Sequence, residues 1–132
     1  MKIHHIGYLV DDIEAAASEF EKLGYSKTDE IVEDAARKIY ILFLGNGAYT
    51  IELVQPADAA SPVYKLRKKH RNSPYHICYE TDDLPKTIEQ MVNFHHYILL
   101  QPPEKAPAIV GSTVAFLVSR EMGMIELLCK EF

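Results

Sequence analysis

The chain has 132 residues, 48% apolar and 25% charged, which suits one compact domain with a real core rather than a long disordered tract. A net charge of −5 argues against nucleic acid as the main partner, because phosphate binding needs a basic face. No run of eighteen apolar residues offers a membrane span, the opening MKIHHIGYLV lacks a signal-peptide layout, and the expected compartment is the cytoplasm.

Residues 3–10 are apolar and rich in β-formers, and Asp11 and Asp12 stop that strand. Either Asp can cap the helix that follows, in which Ile13, Ala16, Ala17, Phe20 and Leu23 recur at helical spacing before Gly24 closes it. A strand near 26–32 is expected next. Strands at 38–44 and 49–54 follow, joined by the turn Gly45-Asn46-Gly47. Residues 55–74 carry Pro56, Pro62 and Pro74 and a basic helix-like piece at 63–71, and read as a connection. The pattern then restarts: a strand at 75–80, a stop at Asp82-Asp83, a helix at 84–94, and strands at 114–118 and 124–129. Cys78 and Cys129 fall inside apolar strands and read as two reduced core thiols rather than a disulfide.

The restart is a repeat. HIGYLVDDI beginning at His5 matches HICYETDDL beginning at His76, Ile51-Glu52-Leu53 matches Ile125-Glu126-Leu127, and Phe43-Leu44 matches Phe116-Leu117. Chance can supply one such match; it is a poor source of three in the same order. The expected fold is α+β, two paired βαβββ modules forming a U-shaped mixed sheet around a metal cleft. The whole chain, 1–132, would be one domain: module one at 1–55, a linker at 56–74 and module two at 75–132.

Each module sets a His in its first strand and a Glu in its last. Glu52 and Glu126 interrupt otherwise apolar strands, and a charge there is costly unless it is paired, hydrated or bound to a metal. Two imidazoles and two carboxylates at repeat-related positions suit one divalent transition ion such as Ni, Co, Zn, Mn or Fe. With His5, Glu52, His76 and Glu126 as ligands, an octahedral ion keeps two positions for substrate oxygens. It can then act as a Lewis acid on a carbonyl while an adjacent carboxylate moves a proton. The other candidates read as bland: His4 faces away from His5, His95 and His96 are surface residues after the second helix, and Glu33 is a surface carboxylate. His70 sits in the basic run with Lys65, Arg67, Lys68, Lys69 and Arg71. That run reads as a solvated helix face, with an anchor for substrate phosphate or carboxylate as the minor alternative.

The motifs HHIGYLVDD, TIELVQP, YHICYETDD and MIELLCK together resemble the vicinal oxygen chelate superfamily of glyoxalase I, methylmalonyl-CoA epimerase, extradiol dioxygenases and bleomycin-resistance proteins. They span nearly the whole chain. The segment SPVYKLRKKHRNSPYHI looks like the epimerase linker. The resemblance implies metal ligands at His5, Glu52, His76 and Glu126, with Glu126 as the proton-transfer base and Glu52 as the lesser candidate. The first expectation is a glyoxalase I-like lyase that isomerises the hemithioacetal of a 2-oxoaldehyde through an enediolate held by the ion. The alternatives are a methylmalonyl-CoA epimerase-type isomerase and a non-catalytic binding protein of the bleomycin-resistance kind. The partner implied is a small carbonyl or thioester compound, with no nucleic acid and no membrane, and the resemblance implies a homodimer.

Overall fold

The computed structural model describes residues 1–131. Among them the chain is α+β, with nine strands and three α-helices, and no helix is long and apolar enough to cross a membrane. It divides into two compact units: His5–Tyr75, and Met1–His4 together with the chain from His76 onward.

The first unit takes β1 (Lys2–Leu9) from His5 on, and the strand leads into α1 (Ile13–Glu21). Asp12 is the cap: its Oδ1 accepts the Glu14 and Ala15 N–H groups at 3.0 and 3.1 Å, satisfying donors that a helix start leaves open. The chain turns at Gly24, whose φ of +96° a side chain would disfavour. β2 (Ser26–Lys27) and β3 (Val32–Asp34) then pair antiparallel with β4 (Ile39–Asn46). β4 pairs antiparallel with β5 (Tyr49–Pro56), and β5 lies parallel to β1, giving the order β2-β4-β5-β1. Ile13 and Ala17 of α1 pack on Leu42, Leu44, Ile51 and Leu53. Alternation therefore turns Ile41, Phe43, Glu52 and Val54 to the face away from the helix.

The second unit, which takes β6 from His76 on, repeats the plan. β6 (Ser73–Glu80) is followed by α3 (Leu84–Phe94), β7 (Ile98–Lys105), β8 (Ser112–Ser119) and β9 (Gly123–Lys130), in the order β6-β9-β8-β7. Asp83 caps α3 by accepting the Lys86 N–H at 3.0 Å. Leu84 packs with Ala115, Leu117, Ile125 and Leu127, so Glu126 faces away from α3 just as Glu52 faces away from α1.

Three expectations are corrected and one is completed. The strand near 26–32 is two short pieces, β2 and β3. Leu23 is not on the buried face of α1: the helix stops at Glu21, and Leu23 is 71% exposed. The helix-like piece at 63–71 is a 3-10 turn, Tyr64–Leu66, followed by the four-residue α2 (Arg67–His70). β7 is the strand that the βαβββ plan requires between the second helix and the strand at 114–118, but its bounds were not legible, because its run Ile98-Leu99-Leu100 does not alternate and Pro102 and Pro103 argue against a strand. It pairs through two register shifts around those prolines, where ladder hydrogen bonds are dispensable. Cys78 and Cys129 form no disulfide, as expected.

Candidate functional site

The first module brings His5 and Glu52 together. β1 and β5 are parallel with Gly7 opposite Glu52, so His5, one pleat earlier on the same face, reaches the carboxylate across the small Gly7. His5 Nε2 lies 3.5 Å from Glu52 Oε1, and the two residues are 1% and 6% exposed. On β4, Phe43 stands opposite Glu52 and sets its ring edge-on to the His5 imidazole, centroids 5.4 Å apart.

The second module brings His76 and Glu126 together by the same device. Cys78 is opposite Glu126, His76 Nε2 lies 3.2 Å from Glu126 Oε1, and both residues are 3% exposed. Phe116 is opposite Glu126 and meets the His76 ring edge-on at 5.3 Å. The aromatic clamp on each imidazole is the part of the site that the sequence reading missed. Its signal was present, since Phe43 and Phe116 are themselves a repeat match.

Each pair offers two donors of the kind a divalent cation takes, one imidazole nitrogen and one carboxylate oxygen, buried and held against an aromatic wall. With bonds of about 2.1 Å, neighbouring ligand atoms on one ion stand about 3.0 Å apart in octahedral and about 3.4 Å apart in tetrahedral geometry. The separations of 3.5 and 3.2 Å fall at or near that range and at or beyond the long end of an N–H···O hydrogen bond. A buried carboxylate is costly unless compensated, and here the compensation is duplicated to the residue.

The lysines of the basic run lie on a solvated face, as expected, but two of its arginines have a task that spacing did not suggest. Arg67 Nε donates to Asp11 Oδ1 at 3.0 Å, Arg71 Nε donates to Oδ2 at 2.6 Å, and Asn72 Nδ2 donates to Oδ2 at 3.3 Å. Asn72 Oδ1 in turn accepts the Asp11 N–H at 3.0 Å, and Arg67 lies over the Tyr64 ring at 4.7 Å. The Arg71 hydrogen bond, opposed by desolvation and reinforced by Arg67, holds the Asp11 carboxyl below the usual carboxylate range. Asp11 in turn raises the Arg67 guanidinium. Two arginines four residues apart thus tie the linker to the end of β1. Lys65, Lys68 and Lys69 remain exposed on the solvent side.

The other candidates stand apart. His4 is half-buried on the opposite side of β1 from His5, His70 is half-buried at the end of α2, and Glu33 is exposed on β3. His95 caps α3 and is exposed, as is His96, which takes a φ of +61°. An apolar groove beside α1, lined by Tyr8, Val10, Ala16 and Phe20, lies on the helix side of β1 and is not lined by His5 or Glu52.

Residues 4–116 match the model of the Glyoxalase/Bleomycin resistance protein/Dioxygenase superfamily. The uncharacterised protein YqjC of Bacillus subtilis is 28% identical over 132 residues, 98% of this chain and 91% of that one. The ethylmalonyl-CoA/methylmalonyl-CoA epimerase of Cereibacter sphaeroides is 26% identical over 84 residues, which is 63% of each chain and so less than two thirds of that protein. In fold, the crystal structure of methylmalonyl-CoA epimerase from Mycobacterium tuberculosis matches with a TM-score of 0.83 at 18% identity, covering 98% of this chain and 88% of that one.

Proposed function

Because the chain belongs to the glyoxalase/bleomycin resistance/dioxygenase superfamily, we propose that it is an isomerase of the methylmalonyl-CoA epimerase type, acting on the carbon beside a thioester carbonyl. The observation that carries this reading is the duplicated, buried His–Glu pair, a donor set suited to a divalent cation. The relative of named activity favours epimerisation over the hemithioacetal lyase that the sequence alone put first.

In this reading His5, Glu52, His76 and Glu126 jointly hold one divalent transition ion, Ni, Co, Zn or Mn. Such an ion, when bound, supplies Lewis acidity that draws charge from the thioester oxygen and acidifies the neighbouring carbon. The protein's own groups do the rest. His5 and His76 serve as neutral imidazoles, fixed edge-on against Phe43 and Phe116. Glu126 takes the proton from the α-carbon. Inversion needs an acid on the opposite face of the flattened carbon, and Glu52 is the second carboxylate available. One C–H bond breaks and one forms, with no co-reactant.

The test is methylmalonyl-CoA of one configuration in D₂O with the metal-loaded protein, followed by NMR and by optical activity. Interconversion with deuterium entering the α-carbon is the expected result, falling by about 10² or more in Glu126→Gln. Turnover of a 2-oxoaldehyde hemithioacetal with no action on the thioester would replace this reading with the lyase. Tight ligand binding by metal-free protein, with no turnover of either, would replace it with a binding protein.

A further inference from the structure

In the second module the face that carries His76 and Glu126 does not end at the pair. The same face presents Cys78 on β6, directly opposite Glu126, and, one pleat further on at about 7 Å, Leu128 on β9 with Val114 opposite it on β8. These three are buried and form an apolar wall beside two polar residues. The loop between β7 and β8 folds back over that wall, packing Ala106 and Ile109 against it.

The loop is not a loose cover. The Ile109 N–H donates to the Ala106 carbonyl at 3.1 Å, the Ile109 carbonyl accepts from Ser112 N–H at 3.1 Å, and Ala106 N–H donates to the Ser112 carbonyl at 3.1 Å. Ile109 is therefore held at both its backbone groups, and its side chain is turned in, whereas the next residue, Val110, is 95% exposed. An exposed valine beside an inward isoleucine, on a segment pinned at both ends, marks Ile109 as the residue whose size sets the depth of the apolar wall.

We propose that Ile109 determines which α-substituent the site accepts, by filling the apolar space one pleat from the His76–Glu126 pair. The inference rests on the epimerase reading and adds to it the residue that limits the size of the α-substituent, with methyl preferred to ethyl or longer. Ile109 packs on the cluster that includes Cys78, the residue opposite Glu126, and an alkyl substituent gains by turning to an apolar surface while a carboxylate substituent does not. Replacing Ile109 by Ala removes three carbons from that wall. One methylene in an apolar pocket changes discrimination by about 10-fold or more.

The experiment compares kcat/KM for methylmalonyl-CoA and ethylmalonyl-CoA in the metal-loaded wild type, Ile109→Ala, Ile109→Val and Val110→Ala. The expected result is a wild-type preference for the methyl substrate, a shift of the ethyl-to-methyl ratio by about 10-fold or more in Ile109→Ala, a smaller shift in the same direction in Ile109→Val, and no shift in Val110→Ala. A residue that merely stabilises the loop would lower both substrates in proportion; an unchanged ratio in Ile109→Ala and Ile109→Val, with the wild type active, overturns the assignment of Ile109 alone. A wild type that turns over neither thioester overturns the epimerase reading and this inference with it.

Discussion

Replacing Glu126 by Gln keeps the shape of the side chain and removes its charge. The residue is 3% exposed and sits 3.2 Å from His76 Nε2, so solvent screening does not dilute the change. In the metal-free protein an amide can still hydrogen-bond the imidazole, and stability should move by no more than about 1 kcal/mol. The effect should appear with the ion. At a concentration 100-fold above its Kd, an ion that binds only the folded wild type adds about 2.7 kcal/mol. For a chain of this size that is a rise in Tm of about 9 °C, taking about 3–4 °C per kcal/mol. Losing an outer-shell partner of a ligand already costs about 10–100-fold in affinity, so losing the ligand carboxylate should cost about 100-fold or more. At the same ion concentration the variant then gains only about 0.4 kcal/mol, a rise of little more than 1 °C. Scanning calorimetry of both proteins, with chelator and with each candidate ion, reads this directly. An equal rise in wild type and variant would refute Glu126 as a ligand.

Two other outcomes follow from the described contacts. Asp11 has a carboxyl held below its ordinary range by Arg71 and Arg67, so the stability it contributes is fully present above the unfolded-state value and is lost as pH falls through the lowered native value. Asp11→Asn should lose that acid-dependent part of the stability, and a Tm-against-pH profile flatter than wild type in the acid range would show it; parallel profiles would contradict the linker clamp. Asp83→Ala removes the α3 cap and should cost about 1 kcal/mol by chemical denaturation, while Asp82→Ala should stay within about 0.5 kcal/mol.

The paired-module fold and the His–Glu pairs were legible because a duplicated sequence states each signal twice. Asp-Asp after each first strand announced both helices, with the second Asp of each pair serving as the cap. Glu52 and Glu126 stood out because a lone carboxylate in an apolar strand has to be explained. What escaped was what the repeat does not duplicate. β7 carries two prolines and no alternation, so nothing local marks it as a strand. The Asp11 clamp joins residues 56 to 61 positions apart, and the matching Asp82 in module two gives no hint of it. The inward turn of Ile109 depends on a loop folding back onto β6, β8 and β9, which spacing along the chain does not encode.

In the proposed site the two His–Glu pairs serve one ion. Elemental analysis of the reconstituted protein, with His5→Ala and His76→Ala beside it, tests this most directly. The account predicts one divalent transition ion per chain in the wild type and a loss of that ion in both variants, although each variant leaves the other module's pair intact. Two ions per chain, or one ion retained when either histidine is removed, would contradict it.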